Sequence, residues 1–423
     1  MATYSPLAQI SLLRIYRMIG RFKGQCKTEV GTFPVMIEQP FVVEEYRELR
    51  EQVRRFVRAE ITPYGNAWEK AGRVPRELLL KMGELGFLGL RAPERHGGSG
   101  LSVLGWVVLA EELGRSTYGG VTVVTMVHSA MAMPHLYHAG SEAQMARWLP
   151  DLIAGRKTCC IAVSEPDAGS DVSAIRTVAR RDGDDWVLNG AKMYISNAVF
   201  GDVFFVAART NPAEKGARGI SMFVVEKGDP GFSVGRRLEK FGDWCADTAE
   251  IILQDVRLPA DRLLGEEGRG FYAAMKNFQG ERLVLGAMAT GEGATALKLT
   301  IDYLRGRKAF GAPLIEKQVL RQRLAMHHAK LEAGRQLLYY AAWLESQGLP
   351  CVREVSMVKA FCAETCNELM YSCQQFHGGM GYIRETAIER MVRDARLHAI
   401  GGGATEVMLE EIAKRWDDVP YWQ

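Results

Sequence analysis

The stretch GRGFYAAMKNFQGERLVLGAMATGEGATALKLTIDYLRGRK occupies residues 268–308. Its apolar residues recur at the three- and four-residue spacing of an α-helix. The spacing predicts one helix of about 40 residues, against a usual length of ~11–12 residues. A helix of that length favours a helical bundle and points to oligomerisation.

Upstream of this helix the period changes. Five short segments are rich in β-branched and aromatic residues and are separated by turn residues, which is typical of strands. They are TCCIAVSE (158–165), DWVLNGAKMYISNA (185–198), DVFFVAART (202–210), ISMFVVEKG (220–228) and TAEIILQDVRL (248–258). The helical period is also present before them. We therefore predict an α+β, mainly helical fold, with a helical domain over 36–157, a β domain over 158–265 and a helical bundle over 266–423.

The charge is unevenly placed. The chain of 423 residues has a net charge of +3, and residues 1–35 alone contribute +4. The rest therefore has no basic bias, which argues against a nucleic-acid-binding function. Residues 1–35 are Arg-rich and amphipathic. They fit a mitochondrial transit peptide, a basic arm, or a non-native leader upstream of a true start at Met36. The longest apolar runs are too short to span a bilayer.

The cysteine and histidine patterns give little support to a cysteine-based site or a metal site. The eight cysteines form no CxxC pair and fit reduced, partly buried thiols in a reducing compartment. His128, His135 and His138, spaced H-x6-H-x2-H, lie in a segment that reads as helix and helix end without a carboxylate partner, so we expect no metal site.

Four loops or strand ends have residues suited to a ligand, although each also has an ordinary structural explanation. IAVSEPDAGSD (161–171) offers Ser164 and Ser170 to an anionic or polyoxygen ligand, or is a simple turn. In GAKMYISNA (190–198), alternation places Tyr194 and Ser196 on one face, which suits a flat ring or a half-buried strand.

The other two segments with residues suited to a ligand lie further along the chain. In 303–327, Arg307 and Phe310 could hold a phosphate and a ring, or Arg307 could simply complement a helix dipole. QQFHGGMGYIRE (374–385) is a Gly-rich break without GxGxxG or a β-α-β context, so we reject a Rossmann site.

Taken together, these motifs resemble the acyl-CoA dehydrogenase flavoprotein family over about residues 40–415. AVSEPDAGSD, GAKMYISNA, RKAFGAPLIEKQ, GGMGY and RDARLHAIGGGATEV occur in the family's order. The resemblance implies a C-terminal four-helix bundle, non-covalent FAD, and a homotetramer or homodimer. It also implies electron-transfer flavoprotein as electron acceptor.

The resemblance assigns cofactor contacts residue by residue. It places Ile161, Ser164, Ser170, Tyr194, Ser196 and Thr405 at the FAD, with Ser170 also able to reach the pantetheine arm. It places Arg307, Phe310, Gln318, Gln375 and Gly379 at the FAD of a neighbouring subunit.

The position of the catalytic base differs among members of this family. Family members remove the α-proton of an acyl-CoA with a carboxylate while hydride passes from Cβ to flavin N5. Many have the Glu in the loop after RDAR, where this chain has Gly402. Members resembling the long-chain and isovaleryl-CoA dehydrogenases have it on the first bundle helix, where this chain has Glu281. The resemblance therefore implies Glu281 as base, although a solvated charge pair with Arg282 is the ordinary alternative.

Further expectations follow from this assignment. Burial should raise the pKa of Glu281. Gly402 should leave room for the Glu281 carboxylate and the substrate, and its N–H should polarise the thioester carbonyl. Arg282 is assigned with Ser170 and Gly402 to the substrate site, where it should position the helix and the glycine loop rather than react. Arg393 and Asp394 of RDAR should form a structural ion pair.

Two other functions remain open at this point. The same fold could be an acyl-CoA oxidase or flavin monooxygenase that uses oxygen, or a non-enzymatic flavoprotein scaffold. For the dehydrogenase, the position of the base favours a medium-to-long or branched acyl chain. The bacterial cytoplasm is the first choice of compartment, and the mitochondrial matrix is the second.

Overall fold

The computed structural model describes residues 44–214, 216 and 218–419. The extension predicted over residues 1–35 lies outside them. The first elements are helices, as the sequence predicted, and they are α1 Glu44–Phe56, α2 Gly65–Ala71, α3 Arg76–Glu84, α4 Val103–Gly114, α5 Gly119–Met126, α6 Met133–Ala139 and α7 Glu142–Ile153. Hydroxyl caps fix two of the starts: Ser102 accepts the Leu104 N–H, and Ser141 forms a capping box with Gln144.

A π-helical turn, Val127–Ala132, lies between α5 and α6. Pro134 follows it at the start of α6. Because proline has no N–H, the Ala130 carbonyl cannot receive the bond that an α-helix would give it from residue 134. Turns of this kind are frequent at functional sites.

A single eight-stranded sheet forms the middle of the chain. Its strands are β1 Cys159–Ala162, β2 Val178–Asp182, β3 Asp185–Ser196, β4 Val203–Arg209, β5 Ile220–Glu226, β6 Phe232–Arg237, β7 Thr248–Leu258 and β8 Leu263–Leu264. The order is β6-β7-β3-β2-β4-β5-β8, and β1 runs parallel to β4. Apolar side chains cover both faces of β4, so the sheet is buried at its centre.

Helices return after the sheet. The segment 268–308 forms α8, Gly270–Gly306, a helix of 37 residues, which confirms the predicted long helix. It is followed by the short hairpin β9 Lys308–Ala309 and β10 Ala312–Pro313, then by α9 Gln318–Ser346, α10 Val352–His377, α11 Ala387–Ala395 and α12 Thr405–Ala413. Among the described residues, no helix is long and apolar enough to cross a membrane.

The N-terminal helices pack on the bundle through α4 and α8. A Cβ atom on Gly291 of α8 would lie 2.0 Å from the Glu111 carbonyl oxygen of α4, so only glycine permits this approach. A buried ionic cluster lies beside the crossing. Arg50 of α1 donates to Glu111 at 2.7 Å and to Glu112 at 2.9 Å, and Arg335 of α9 donates to Glu111 at 2.6 Å. These ion pairs therefore connect α1, α4 and α9.

Candidate active site

Glu281 lies near the N-terminal end of α8 and is 6% exposed. Burial raises the pKa of this carboxyl to about 8, against the opposing effects of a hydrogen bond from Asn277 and the positive charge of Arg282. The predicted rise in the pKa is therefore confirmed. A carboxyl with this pKa exchanges its proton close to neutral pH, which is what a general base needs.

Asn277 is a neighbour of Glu281 that the sequence analysis missed. Its Nδ2 donates to Glu281 Oε1 at 2.9 Å and to the Met131 carbonyl oxygen at 3.0 Å. Met131 belongs to the π-helical turn, so the amide joins the N-terminal helices to the carboxyl on α8. The signal was available in the sequence, because residues four apart share one face of a helix.

The glycine loop, residues 401–403, packs against the same helix. Gly402 has φ of +64°, a conformation that L side chains rarely adopt. A Cβ atom there would lie 2.2 Å from Leu285 Cδ1, one turn beyond Glu281. Leu285 therefore occupies the direction in which a side chain at position 402 would point. The room that Gly402 leaves for the Glu281 carboxylate stays a prediction. The role of Gly402 at the substrate stays a prediction.

A buried histidine fixes the start of this loop. His398 Nε2 lies 2.8 Å from Glu292 Oε2 of α8, and both side chains are buried. Arg282 is buried as well, and burial lowers the pKa of its guanidinium against the charges of Glu411 and Glu281. Its Nε has no hydrogen-bond partner among the described residues. The contacts of His398 and Gly402 hold the loop against the helix on which Glu281 lies.

A second group of predicted residues meets at the sheet. The Met193 N–H donates to the Ser164 carbonyl oxygen at 2.9 Å, which brings the chain end after β1 beside the end of β3. The register of β3 shifts between Lys192 and Ile195, and Tyr194 has φ of +63°. This bulge leaves Tyr194 66% exposed while Ile195 is buried. Tyr194 and Ser196 are both more exposed than Ile195 between them, as the predicted alternation requires.

The residues at this position fit a flavin by their chemistry. Ile161, Ser164 and Ser196 are half-buried, and Tyr194 presents an aromatic ring to the exterior. Together they offer hydroxyls beside an aromatic plane, as a polar heteroaromatic ring requires. Beside them, the buried Asn197 Oδ1 has no hydrogen-bond partner among the described residues. Ser170 is exposed on the neighbouring loop.

The remaining cofactor candidates lie elsewhere on this chain. Along α8, Arg307 is about 39 Å from Glu281 at 1.5 Å rise per residue. Phe310 on the adjoining hairpin is 93% exposed with φ of +54°. Gln318, Gln375 and Gly379 are exposed.

The Tyr303 and His377 rings stack at 4.3 Å, so the ends of α8 and α10 meet. The structure does not bring this group to Glu281.

Thr405 is the remaining cofactor candidate and follows the glycine loop by two residues. It is half-buried at the start of α12, and its hydroxyl donates to Glu364 Oε1 at 2.6 Å.

The expected ion pair between Arg393 and Asp394 is wrong. Arg393 instead pairs with Glu389 at 3.0 Å, one turn away. Asp394 accepts backbone N–H groups from Asp243 at 2.7 Å and Gly119 at 3.2 Å. The reason is geometric, because adjacent residues on a helix do not face each other.

Three family models match this chain in the order of its layers. The acyl-CoA dehydrogenase N-terminal domain matches residues 43–156, the middle domain 160–256 and the C-terminal domain 268–416. The chain belongs to the acyl-CoA dehydrogenase family. The predicted family and fold are thereby confirmed, and this member is an oxidoreductase of a flavoprotein family.

Relatives of this member include dehydrogenases of the subfamilies suspected from the sequence. It is 40% identical over 371 residues to the mitochondrial long-chain specific acyl-CoA dehydrogenase of Sus scrofa, covering 88% of this chain and 86% of that protein. It is 36% identical over 367 residues to the mitochondrial isovaleryl-CoA dehydrogenase of Pongo abelii, covering 86% of each.

Solved structures agree with the fold over nearly the same length. A probable acyl-CoA dehydrogenase of Mycobacterium abscessus has a TM-score of 0.86 and 39% identity, covering 89% of this chain and 99% of that one. A glutaryl-CoA dehydrogenase of Mycobacterium smegmatis, in complex with FADH2, has a TM-score of 0.83 and 29% identity, covering 88% of this chain and 95% of that one.

Proposed function

We propose that the protein is an FAD-dependent acyl-CoA dehydrogenase that oxidises an acyl-CoA to its trans-2-enoyl-CoA, with Glu281 as the base that removes the α-proton. The observation that carries this proposal is the buried Glu281 carboxyl, whose pKa burial raises to about 8, on a helix in contact with the glycine loop. A solvated charge pair would have neither the burial nor the raised pKa.

Glu281 performs the proton transfer. In its ionised form the carboxylate takes the α-proton of the acyl chain, and the protonated form is stable in its buried surroundings. An α-proton beside a thioester is too weakly acidic unless the carbonyl is polarised. The Gly402 N–H supplies that polarisation in our proposal, because a backbone donor aimed at the developing oxyanion stabilises it.

The cofactor site consists of Ile161, Ser164, Tyr194, Ser196 and Thr405, with Ser170 shared with the pantetheine arm. When bound, FAD would accept the Cβ hydride at N5. The hydroxyls hold the polar edge of the ring, while Tyr194 covers it and excludes water. The distance along α8 supports the assignment of Arg307, Phe310, Gln318, Gln375 and Gly379 to the FAD of a neighbouring subunit in a homotetramer or homodimer.

The finer features of the reaction belong to the same proposal. Glu281 on the first bundle helix favours a medium-to-long or branched acyl chain, and electron-transfer flavoprotein is the acceptor. The described cysteines are all buried and unpaired, which supports a reducing compartment. The bacterial cytoplasm is our first choice and the mitochondrial matrix the second.

The test is an anaerobic titration of the purified yellow protein with acyl-CoAs of graded length and branching, followed by flavin absorbance. We expect one group of acyl-CoAs to bleach the flavin absorbance of the wild-type protein. Glu281→Gln should retain FAD and the fold but lose bleaching. Glu332→Gln, a control on the exposed face of α9, should bleach like the wild type. Bleaching of Glu281→Gln at the wild-type rate would overturn the assignment of the base.

A further inference from the structure

We propose that Asn277 is a positioning residue for the reaction, which fixes the Glu281 carboxylate and holds it in its proton-accepting state. This inference rests on the proposed role of Glu281. It assigns a function to the contact between the two side chains, which lie one helical turn apart on α8.

The contact restricts a side chain that is otherwise flexible. A glutamate has three side-chain torsions, and a catalytic carboxylate must be held close to the bond it attacks. Asn277 is 3% exposed, and its Nδ2 donates to Glu281 Oε1 at 2.9 Å. One oxygen of the base is thus held by the amide, and Oε2 is left to face the substrate.

The amide is itself anchored from the other side. Its Nδ2 donates to the Met131 carbonyl oxygen at 3.0 Å and approaches that of Ala130 at 3.4 Å. These carbonyls belong to the π-helical turn, and Pro134 cannot supply Ala130 with an α-helical N–H. The irregular turn therefore presents acceptors, and Asn277 uses its second N–H to meet them.

An amide suits this position better than a carboxyl or an alcohol. It has two N–H donors in one plane, one for the base and one for the turn. Because an N–H can only donate, it binds an ionised carboxylate more strongly than a neutral carboxyl. The hydrogen bond therefore opposes the effect of burial on the pKa of Glu281.

Few other charges act on this carboxyl. Among the described residues, the groups that act on Glu281 are the Asn277 amide and the Arg282 guanidinium on the same helix. Glu411 and Arg415 act on Arg282 in turn. Loss of the Asn277 donor should therefore appear directly as a change in the pKa of the base.

The experiment compares the pH dependence of anaerobic flavin reduction in the wild type, Asn277→Ala and Asn277→Asp. Asn367→Ala is the matched control, because it removes an amide that donates to a carbonyl on α10. The acid limb of the wild-type rate should rise as Glu281 ionises. In Asn277→Ala the acid limb should move up by about one pH unit. The rate of flavin reduction at pH 7 should then fall about tenfold and return to the wild-type rate at high pH.

Asn277→Asp preserves the shape of the side chain and guards against a failure of Asn277→Ala to fold. Its extra carboxylate should move the acid limb at least as far. FAD content and thermal unfolding are measured alongside. An unshifted pH profile in both variants, even with slower reduction at every pH, would overturn the inference and leave Asn277 a structural residue. If Glu281→Gln still reduces the flavin, the proposed base itself falls, so the two failures are distinguishable.

Discussion

The backbone of Gly402 packs directly on Leu285, and a Cβ atom at Gly402 would lie 2.2 Å from Leu285 Cδ1. Leu285 follows Glu281 by one turn of α8, so the two residues share a face of that helix. The glycine loop and the carboxyl therefore depend on the same helix surface. A shift of the loop away from α8 should change the position of the Gly402 N–H relative to Glu281.

The first prediction concerns Gly402→Ala. The new Cβ must displace Leu285, and φ of +64° strains any L residue, so we expect a loss of stability of roughly 1–3 kcal/mol. Flavin reduction should fall as well, because the N–H moves with the loop. Thermal unfolding and anaerobic flavin reduction measure the two effects.

A second variant separates crowding from strain. Leu285→Ala in the Gly402→Ala background makes room for the Cβ, so part of the lost reduction rate should return. Gly306→Ala is the control, because a Cβ there meets open space. If Gly402→Ala behaves like Gly306→Ala, the loop tolerates displacement and the close packing has no functional importance.

The sequence was sufficient to predict the architecture but not its local irregularities. Apolar periodicity over 268–308 predicted a helix, and the structure has one over Gly270–Gly306. The bulge that exposes Tyr194 was not predicted, because it depends on how β3 pairs with β7 rather than on the residues of β3 alone.

The candidate site was also predicted only in part. Glu281 was found because one motif position lacked a carboxylate and another had one. The contact of Asn277 with Glu281 could have been predicted from their four-residue spacing, but its contacts with Ala130 and Met131 could not, because those residues are far away in sequence. Likewise, the backbone groups that Asp394 binds come from Gly119 and Asp243. Tertiary contacts of this kind are outside the reach of local patterns.

The second prediction concerns the buried cluster around Arg50. Burial alone would raise the pKa of Glu111, but the charges of Arg50, Arg335 and Arg115 outweigh it and lower that pKa. Arg50→Ala leaves buried carboxylates with less compensation, so we expect a loss of about 3–5 kcal/mol at pH 7. Urea unfolding at pH 7 measures it.

The sign of the pH effect gives a further check. A lowered carboxyl pKa stabilises the fold above the unfolded-state pKa, and this contribution fades as pH falls through the folded-state pKa. The difference between Arg50→Ala and the wild type should therefore shrink in acid. Lys298→Ala breaks an exposed ion pair with Asp302 and should change stability very little. An equal effect of the two variants would show that the buried cluster is not a major source of stability.

The third prediction concerns Asp243 and Asp394, two buried carboxyls where α5, the chain before β7 and α11 meet. Burial raises the pKa of Asp394 to about 7, and the charge of Glu69 adds to the rise. Burial also raises the pKa of Asp243, and the charge of Asp394 adds to that rise. Glu292 adds to both effects; Lys240 opposes the rise at Asp243, and Arg393 opposes that at Asp394.

A raised carboxyl pKa stabilises the fold at low pH, and that stability is lost as pH rises through the folded-state pKa, here from about 4 to about 7. Asp243→Asn removes one carboxyl, and asparagine tolerates the positive φ of 52° at this position. The variant should therefore be more stable than the wild type at pH 8, by roughly 1–2 kcal/mol, and should differ little at pH 4. Urea unfolding across this range, with the exposed Asp184→Asn as control, measures the slope. A wild-type slope in Asp243→Asn would mean that the Asp243 carboxyl does not contribute to the pH dependence, which Asp394 with its raised pKa would then account for without it.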